Sequence, residues 1–250
     1  MGALDGRVAI VTGAGTGLGR AIAQELADAG ARVAVLEIDR DSARAAAEEL
    51  GGRAYPTDVA NREQVDAAFE AVAGDFGRLD ICVNNAGISR VGPHTQDVTD
   101  EDWHDSIAVM QTGVFYCMRA AGRIMVPQRS GSVINISSIR GFSPNVGRMT
   151  YCAPKAAVIM MTHVAAGEWA PHNVRVNAIA PGVLRTPMWD ADVARGAIDE
   201  QLYLDVVPMH RLGQPSEVGK LVVFLCSDDA AYITGAVHTI DGALTSIPAA

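Results

Sequence analysis

The sequence predicts a doubly wound α/β fold: a parallel sheet of roughly seven strands with helices on both faces, in a single domain spanning residues 1–250. Three observations carry that expectation. Short apolar runs rich in β-branched residues recur along the chain, segments of helical periodicity lie between them, and no low-complexity linker or second composition regime interrupts the alternation. With 49% of its residues apolar, the chain can bury a large core.

The apolar runs begin at Arg7 (RVAIVT), Arg32 (RVAVLE), Arg53 (RAYPTDV), Leu79 (LDICVNN), Gly131 (GSVINIS), Val174 (VRVNAIA) and Ala236 (AVHTID). Runs this continuously apolar suit parallel strands, which are covered on both faces. Between them, Leu18, Ile22 and Leu26 repeat at helical spacing, the Ala/Glu-rich DSARAAAEEL follows the second run, and Val65, Phe69 and Val72 mark a further helix. The stretch 186–211 differs. It carries Pro187, Trp189, Gly196 and Pro208 after a strand end, and predicts a long irregular insertion serving as a lid or pocket wall.

Composition narrows the partners. A formal net charge of −9 opposes a nucleic-acid groove or an anionic membrane surface, both of which reward clustered Lys and Arg. A small-molecule partner fits better. Cys82, Cys117, Cys152 and Cys226 are scattered without a C-x-x-C pair or a His-spaced cluster, so neither a metal site nor a disulfide framework is expected. The start, MGALDGRVAIVTG, lacks a charged leader with an apolar signal core, and no apolar run reaches the ~18 residues of a membrane span. These features predict a soluble, cytoplasmic protein.

The stretch VTGAGTGLG directly follows the first apolar run and opens a helical segment. Glycines there allow tight turning and close approach of backbone to a pyrophosphate, which sits on free N–H groups at the positive helix end. The pattern is T-G-x-x-x-G-x-G on Thr12, Gly13, Gly17 and Gly19, and departs from the common G-x-G-x-x-G fingerprint. A merely flexible strand-to-helix turn would look the same. Glu37 weighs against that reading, because it ends the second run about 20 residues later, where a carboxylate accepts from an adenosine ribose diol and repels a 2′-phosphate. Neither Thr16 nor Ile38 is basic, so NAD is expected rather than NADP. Asp39 either shares the role of Glu37 or opens the helix in DRDSA.

Further on, YCAPK sets Tyr151 four residues before Lys155. On a helix such residues share a face, with Cβ atoms about 5–6 Å apart. The spacing by itself also describes many solvated surface helices.

Taken jointly and in order, T-G-x-x-x-G-x-G, DV (Asp58, Val59), NNAG (Asn84, Asn85, Ala86, Gly87), NISS ending at Ser138, YCAPK and PGVLRTP (from Pro181) resemble the short-chain dehydrogenase/reductase family over residues 6–242. The resemblance implies a Rossmann-type seven-stranded fold, nicotinamide-cofactor oxidoreduction, and a homotetramer or dimer. It assigns cofactor contacts to Thr12, Gly13, Thr16, Gly17, Leu18, Gly19 and Glu37, adenine to Asp58 and Val59, and the cofactor wall to Asn85, Ala86 and Gly87. Pro181, Gly182, Val183 and Thr186 would hold the nicotinamide carboxamide.

The resemblance likewise makes Tyr151 the acid/base, Ser138 the hydrogen-bond partner of the substrate oxygen, and Lys155 the residue that lowers the phenol pKa and binds the nicotinamide ribose. Bringing a phenol from about 10 to near 7 takes about 4 kcal/mol. One ammonium about 4 Å away, at an effective dielectric of about 20, supplies roughly that much. Pro154 is unusual in this motif. Proline is tolerated in a first helical turn, so the helix is expected to begin close to Tyr151.

The chain departs from the family pattern at Met110. Trp103 and Gly113 both place Met110 where the family has an asparagine that helps hold a water linking the lysine to solvent. A thioether is a weak acceptor and no donor. Either the Met110 carbonyl holds the water unaided, or Gln111 takes the role from about 100° around the helix, or the protein is weakly catalytic and has another job, as a regulator or assembly partner.

Candidate pocket residues come from three loops: Pro93 and His94; 145–149; and Met188, Trp189, Leu202 and Tyr203. The mix is largely apolar and predicts a secondary alcohol or ketone with a hydrocarbon body. Arg148 is either an anion contact or solvated. Met160 and Met161 are expected in a core or a subunit interface. An NADPH-dependent 3-oxoacyl thioester reductase is the alternative enzyme, although it would favour basic residues near positions 16 or 38.

Overall fold

The computed structural model describes residues 2–88, 92–196 and 198–246, apart from the side chains of Met188 and Asp192. The seven expected runs become β1 (Val8–Thr12), β2 (Arg32–Glu37), β3 (Arg53–Pro56), β4 (Ile81–Asn84), β5 (Gly131–Ile136), β6 (Val174–Pro181) and β7 (Val237–Ile240). They form one sheet in the order β3-β2-β1-β4-β5-β6-β7, and every neighbouring pair is parallel.

Helices follow in the order α1 (Gly17–Asp28), α2 (Arg40–Leu50), α3 (Arg62–Phe76), α4 (Asp100–Ile107), α5 (Gly113–Gln128), α6 (Met149–Trp169), α7 (Pro187–Ala194), α8 (Glu200–Val206) and α9 (Pro215–Cys226). Strand alternation divides the core between the two sheet faces. Val11, Val33, Val35, Ile81 and Ile134 pack with Ile22 and Leu26 of α1 and Val218 and Val222 of α9. On the other face Val8, Ile10, Leu36, Cys82 and Val133 pack with Phe69 of α3, Val114 and Met118 of α5, and Val158 of α6. Each such side chain contributes about 1.5–3 kcal/mol relative to exposure.

Three expectations change. The insertion at 186–211 is largely helical. Thr186 accepts from Trp189 N at 3.2 Å with Pro187 in the first turn, and Asp199 caps α8 by accepting from Gln201 N. The helix bearing Tyr151 begins at Met149, close to that residue as expected, but Pro154 is its sixth residue and lies past the first turn, where its missing N–H leaves the Thr150 carbonyl without the usual helical donor. The long helix before β5 is interrupted by a π-helical turn, Ala108–Thr112, with Met110 inside it. Such turns often mark functional sites.

Candidate active site

All strands are parallel, so their carboxyl ends share one edge, and the strand order reverses between β1 and β4. That switch point is where open α/β sheets bind ligands. Thr12 closes its floor. The Thr12 hydroxyl accepts from Asn85 N at 2.9 Å and Ala86 N at 3.0 Å, while Asn85 Nδ2 donates to Thr12 O at 3.0 Å.

The glycine turn beside it has the geometry of a phosphate cradle. Gly13 (φ 63°) and Gly17 (φ 56°) take left-handed conformations, and a Cβ on Gly19 would lie 2.0 Å from Gly13 O. Whereas Asp39 caps α2 and Asn61 caps α3, α1 begins at Thr16 with no side-chain cap and no acid in its first turn. Its free N–H groups are therefore available to an anion. Leu18 packs partly buried against the core below the turn. Glu37 stands over the turn, its Oε2 accepting from Gly15 N at 3.2 Å and its Oε1 from Ile38 N at 2.8 Å. The capping role of Asp39 places it with α2, since its carboxylate accepts from Ser42 N at 2.7 Å.

Other expected positions line the same edge. Asp58 follows β3 and accepts from Ala60 N at 2.9 Å, and Val59 is buried against Gly113. Gly87 lies over Met110, whose Cγ and Sδ come within 3.7 Å of the Cβ a side chain would add there. Pro181 ends β6, Gly182 N donates to Ile240 O at 2.9 Å, and the Val183 carbonyl accepts from Gly213 N at 3.0 Å. Thr186 spends its hydroxyl on the α7 cap.

Ser138, Tyr151 and Lys155 converge. Ser138 caps a short 3-10 turn after β5, accepting from Arg140 N at 3.1 Å, and its hydroxyl favours the ionised form of the Tyr151 phenol. Lys155 is buried, with Nζ 5.8 Å from the Tyr151 ring centroid. It donates to Ile136 O at 2.8 Å, while Ser137 Oγ donates to Lys155 O at 2.8 Å, so β5 and α6 hold each other reciprocally.

The electrostatics differ from the sequence argument. Desolvation at the hydroxyl pushes the Tyr151 phenol above its ordinary value, with the Ser138 hydrogen bond, Arg148 and Arg140 pulling the other way. Lys155 Nζ lies over the Tyr151 ring and donates to a carbonyl, and burial brings Lys155 itself down to about 8.

Sequence reasoning missed a second layer. Asn84 Nδ2 donates to Asn135 Oδ1 at 2.7 Å, Asn135 Nδ2 to Thr162 Oγ1 at 2.8 Å, and Thr162 Oγ1 to Val158 O at 2.8 Å. This buried chain ties β4 and β5 to α6 and so fixes the helix that carries Tyr151. The signal was an asparagine within each of two otherwise apolar strands, VINI and ICVN.

Beside this group lies a cleft of about 490 Å³, lined by His94 and Thr95, residues 140–142, 144–147 and 149, and Cys152, Ala153 and Ala156 of α6. Two of the three expected loops line it. The third does not: Trp189 packs edge-on against Tyr203 at 4.9 Å and donates from Nε1 to Glu200 at 3.1 Å. Met188 lies in α7, and its side chain is outside the described residues.

A doubly wound sheet with a glycine cradle and an acid at its switch point defines a Rossmann-type dinucleotide-binding protein. The family model described as enoyl-(acyl carrier protein) reductase matches residues 13–245. The chain is 39% identical over 251 residues to D-threitol dehydrogenase of Mycolicibacterium smegmatis, covering 97% of this chain and 94% of that one. It is also 39% identical over 246 residues to the 3-oxoacyl-(acyl-carrier-protein) reductase of Thermotoga maritima, covering 96% and 98%. The crystal structure of gox2181 superposes with a TM-score of 0.93 at 36% identity, covering 98% of this chain and 97% of that one. The chain belongs to the short-chain dehydrogenase/reductase family, whose members use a nicotinamide cofactor. Among the described residues no helix is long and apolar enough to cross a membrane.

Proposed function

We propose that this protein is an NAD-dependent oxidoreductase interconverting a secondary alcohol and a ketone, with Tyr151 as acid/base. The observation that carries the reading is the meeting of Ser138, Tyr151 and Lys155 at the carboxyl edge of the sheet, beside the glycine cradle. When bound, the nicotinamide supplies the hydride acceptor or donor. Tyr151 takes the proton of the substrate hydroxyl in oxidation and returns one to the carbonyl oxygen in reduction. Ser138 orients that oxygen, and Lys155, which holds the Ile136 carbonyl, fixes the floor beneath the phenol and meets the nicotinamide ribose.

The cofactor is held by Thr12, Gly13, Thr16, Gly17, Leu18 and Gly19 at its phosphates, Glu37 at the adenosine ribose, Asp58 and Val59 at adenine, and Asn85, Ala86 and Gly87 along its wall. Pro181, Gly182, Val183 and Thr186 hold the nicotinamide end. NAD is preferred because Glu37 reaches Gly15 N at the lip of the turn, where a 2′-phosphate would meet a carboxylate. Met110 is buried in the π turn, and its backbone carbonyl, not its thioether, serves the proton path from Lys155.

The chain acts as one cytoplasmic domain, with 186–211 as the lid. It assembles as a homotetramer through α5 and α6, where Phe115, Met160 and Val164 are exposed and Arg119 has buried nitrogens without hydrogen-bond partners among the described residues. The test is reduction of NAD and of NADP, followed by absorbance, with a panel of secondary alcohols. Turnover with NAD favoured supports the reading, and strict use of NADPH with 3-oxoacyl thioesters supports the alternative that the Thermotoga maritima relative raises.

A further inference from the structure

The cleft beside the start of α6 is lined by basic side chains and, among the described residues, by no acidic one. The chain carries a net charge of −9, yet none of the cleft's described lining residues is Asp or Glu, while Arg140 and His94 both line it. Arg140 is half-buried, and among the described residues its Nη1 donates only to Ser143 O, at a long 3.3 Å. Among the described residues Arg140 faces no carboxylate, and unlike the ion-paired Arg7, Arg20, Arg185 and Arg211, or Arg119 on the α5 flank, it lines this cleft. A guanidinium is always charged and presents a rigid fork of donors, so one left facing a cleft with a single weak carbonyl contact is prepared for an oxyanion.

Two further features agree. α6, 21 residues long, begins at this cleft with no side-chain cap and no acid in its first turn, and Met149 and Cys152 of that turn line the wall. Phe142, Val146 and Met149 line it too and are all exposed, which supplies apolar surface leading to the charge. The cleft is also tied to the reacting group, because Arg140 N donates to Ser138 Oγ and Arg140 is only two residues from it.

We propose that this cleft receives the far end of the substrate, with Arg140 anchoring a terminal carboxylate or phosphate. The substrate is then a secondary alcohol or ketone whose apolar chain ends in an anion, and a neutral polyol would leave the guanidinium unmatched. This rests on the oxidoreductase reading above and narrows its substrate class.

The test uses the full chain and its Arg140→Met and Arg140→Lys variants. Straight-chain methyl carbinols of increasing length, ending in methyl, carboxylate or phosphate, are oxidised with the nicotinamide cofactor. In the parent, kcat/KM for one anionic series should exceed that of the neutral series by roughly tenfold to hundredfold, as for a charge-assisted hydrogen bond. Arg140→Met should collapse that ratio towards one, mainly through KM, and Arg140→Lys should keep part of it. Whichever anionic series is preferred identifies carboxylate or phosphate as the anchor. Equal kcat/KM across the series in the parent, or an anionic preference that survives Arg140→Met, overturns the proposal. Should no alcohol be oxidised, the oxidoreductase reading fails separately. Calorimetric titration of alkyl carboxylates and alkyl phosphates into the NADH-loaded protein then decides: binding that Arg140→Met abolishes upholds the anion site, and any other result removes it.

Discussion

Lys155 sits at 5% exposure with one carbonyl for its ammonium, and that burial has a consequence measurable without substrate. Its folded pKa is about 8, against about 10.4 in an unfolded chain. Between those values the unfolded chain binds more protons, so stability rises with pH across this window, and the gain is lost again as pH falls through the folded value. Lys155→Met cannot titrate. Urea denaturation should therefore show the unfolding free energy of the parent gaining on that of Lys155→Met from pH 8 upward, by about 3 kcal/mol at most, and holding a constant difference below pH 7. A constant difference throughout would mean that the ammonium is well solvated. Tyr151 moves oppositely. Its phenol is raised by desolvation, so kcat/KM for alcohol oxidation should climb as pH rises above neutrality. Tyr151→Phe should lower kcat by roughly 10²–10⁴-fold while leaving cofactor affinity, read by fluorescence, nearly unchanged. Retention of most of the activity would remove Tyr151 from its proposed role.

At the scale of elements, the glycine turn and the π turn make contrasting predictions. A Cβ on Gly19 would stand 2.0 Å from a backbone oxygen, so Gly19→Ala must displace the cradle, whereas nothing lies within 4 Å of the Cβ position on Gly167. Gly19→Ala should weaken nicotinamide-cofactor binding by roughly tenfold or more, and Gly167→Ala should leave it alone while stabilising α6 by about 0.5–1 kcal/mol. Met110→Asn puts an amide where a thioether is 1% exposed against Gly87, and should cost about 1–3 kcal/mol of stability with little change in turnover. A large gain in turnover would instead show that the parent's proton path is impaired. These elements were not equally legible in the sequence. The strands were, because parallel strands are apolar throughout, and so was the glycine turn, because only glycine takes its φ values without strain. α7 and α8 were obscured by prolines and by weak apolar periodicity; side-chain contacts such as Trp189 with Tyr203 hold them together. The π turn has no composition of its own, and the contacts of Met110 with Gly87 and of Gly113 with Val59 around it join residues far apart in the chain. YCAPK announced a shared face but not that Lys155 would reach back to Ile136, because that bond depends on how β5 and α6 meet.

The whole molecule divides its surface unequally. Its parallel sheet gathers the glycine cradle, Glu37, Ser138 and Tyr151 on one edge, so the helical flanks are left for other uses. On α5 and α6, which pack side by side, Phe115, Met160 and Val164 are 46%, 61% and 53% exposed. Arg119 lies over the Phe115 and Tyr116 rings, each centroid 5.2 Å away, with Nε and Nη2 buried and without a hydrogen-bond partner among the described residues. Apolar side chains grouped in this way, beside a cation that lacks an acceptor among the described residues, are the basis of the proposed assembly. A second copy is the economical choice, since a two-fold axis would set the same helices of two copies together. Met161, by contrast, turns inward against the core, so the adjacent methionines serve different surfaces. Sedimentation of the parent should therefore show a multimer. Phe115→Glu combined with Met160→Glu should yield a folded monomer, because the introduced carboxylates would be desolvated against apolar partners. A parent that sediments as a monomer at micromolar concentration, or a double variant that remains assembled, would move the contact away from α5 and α6.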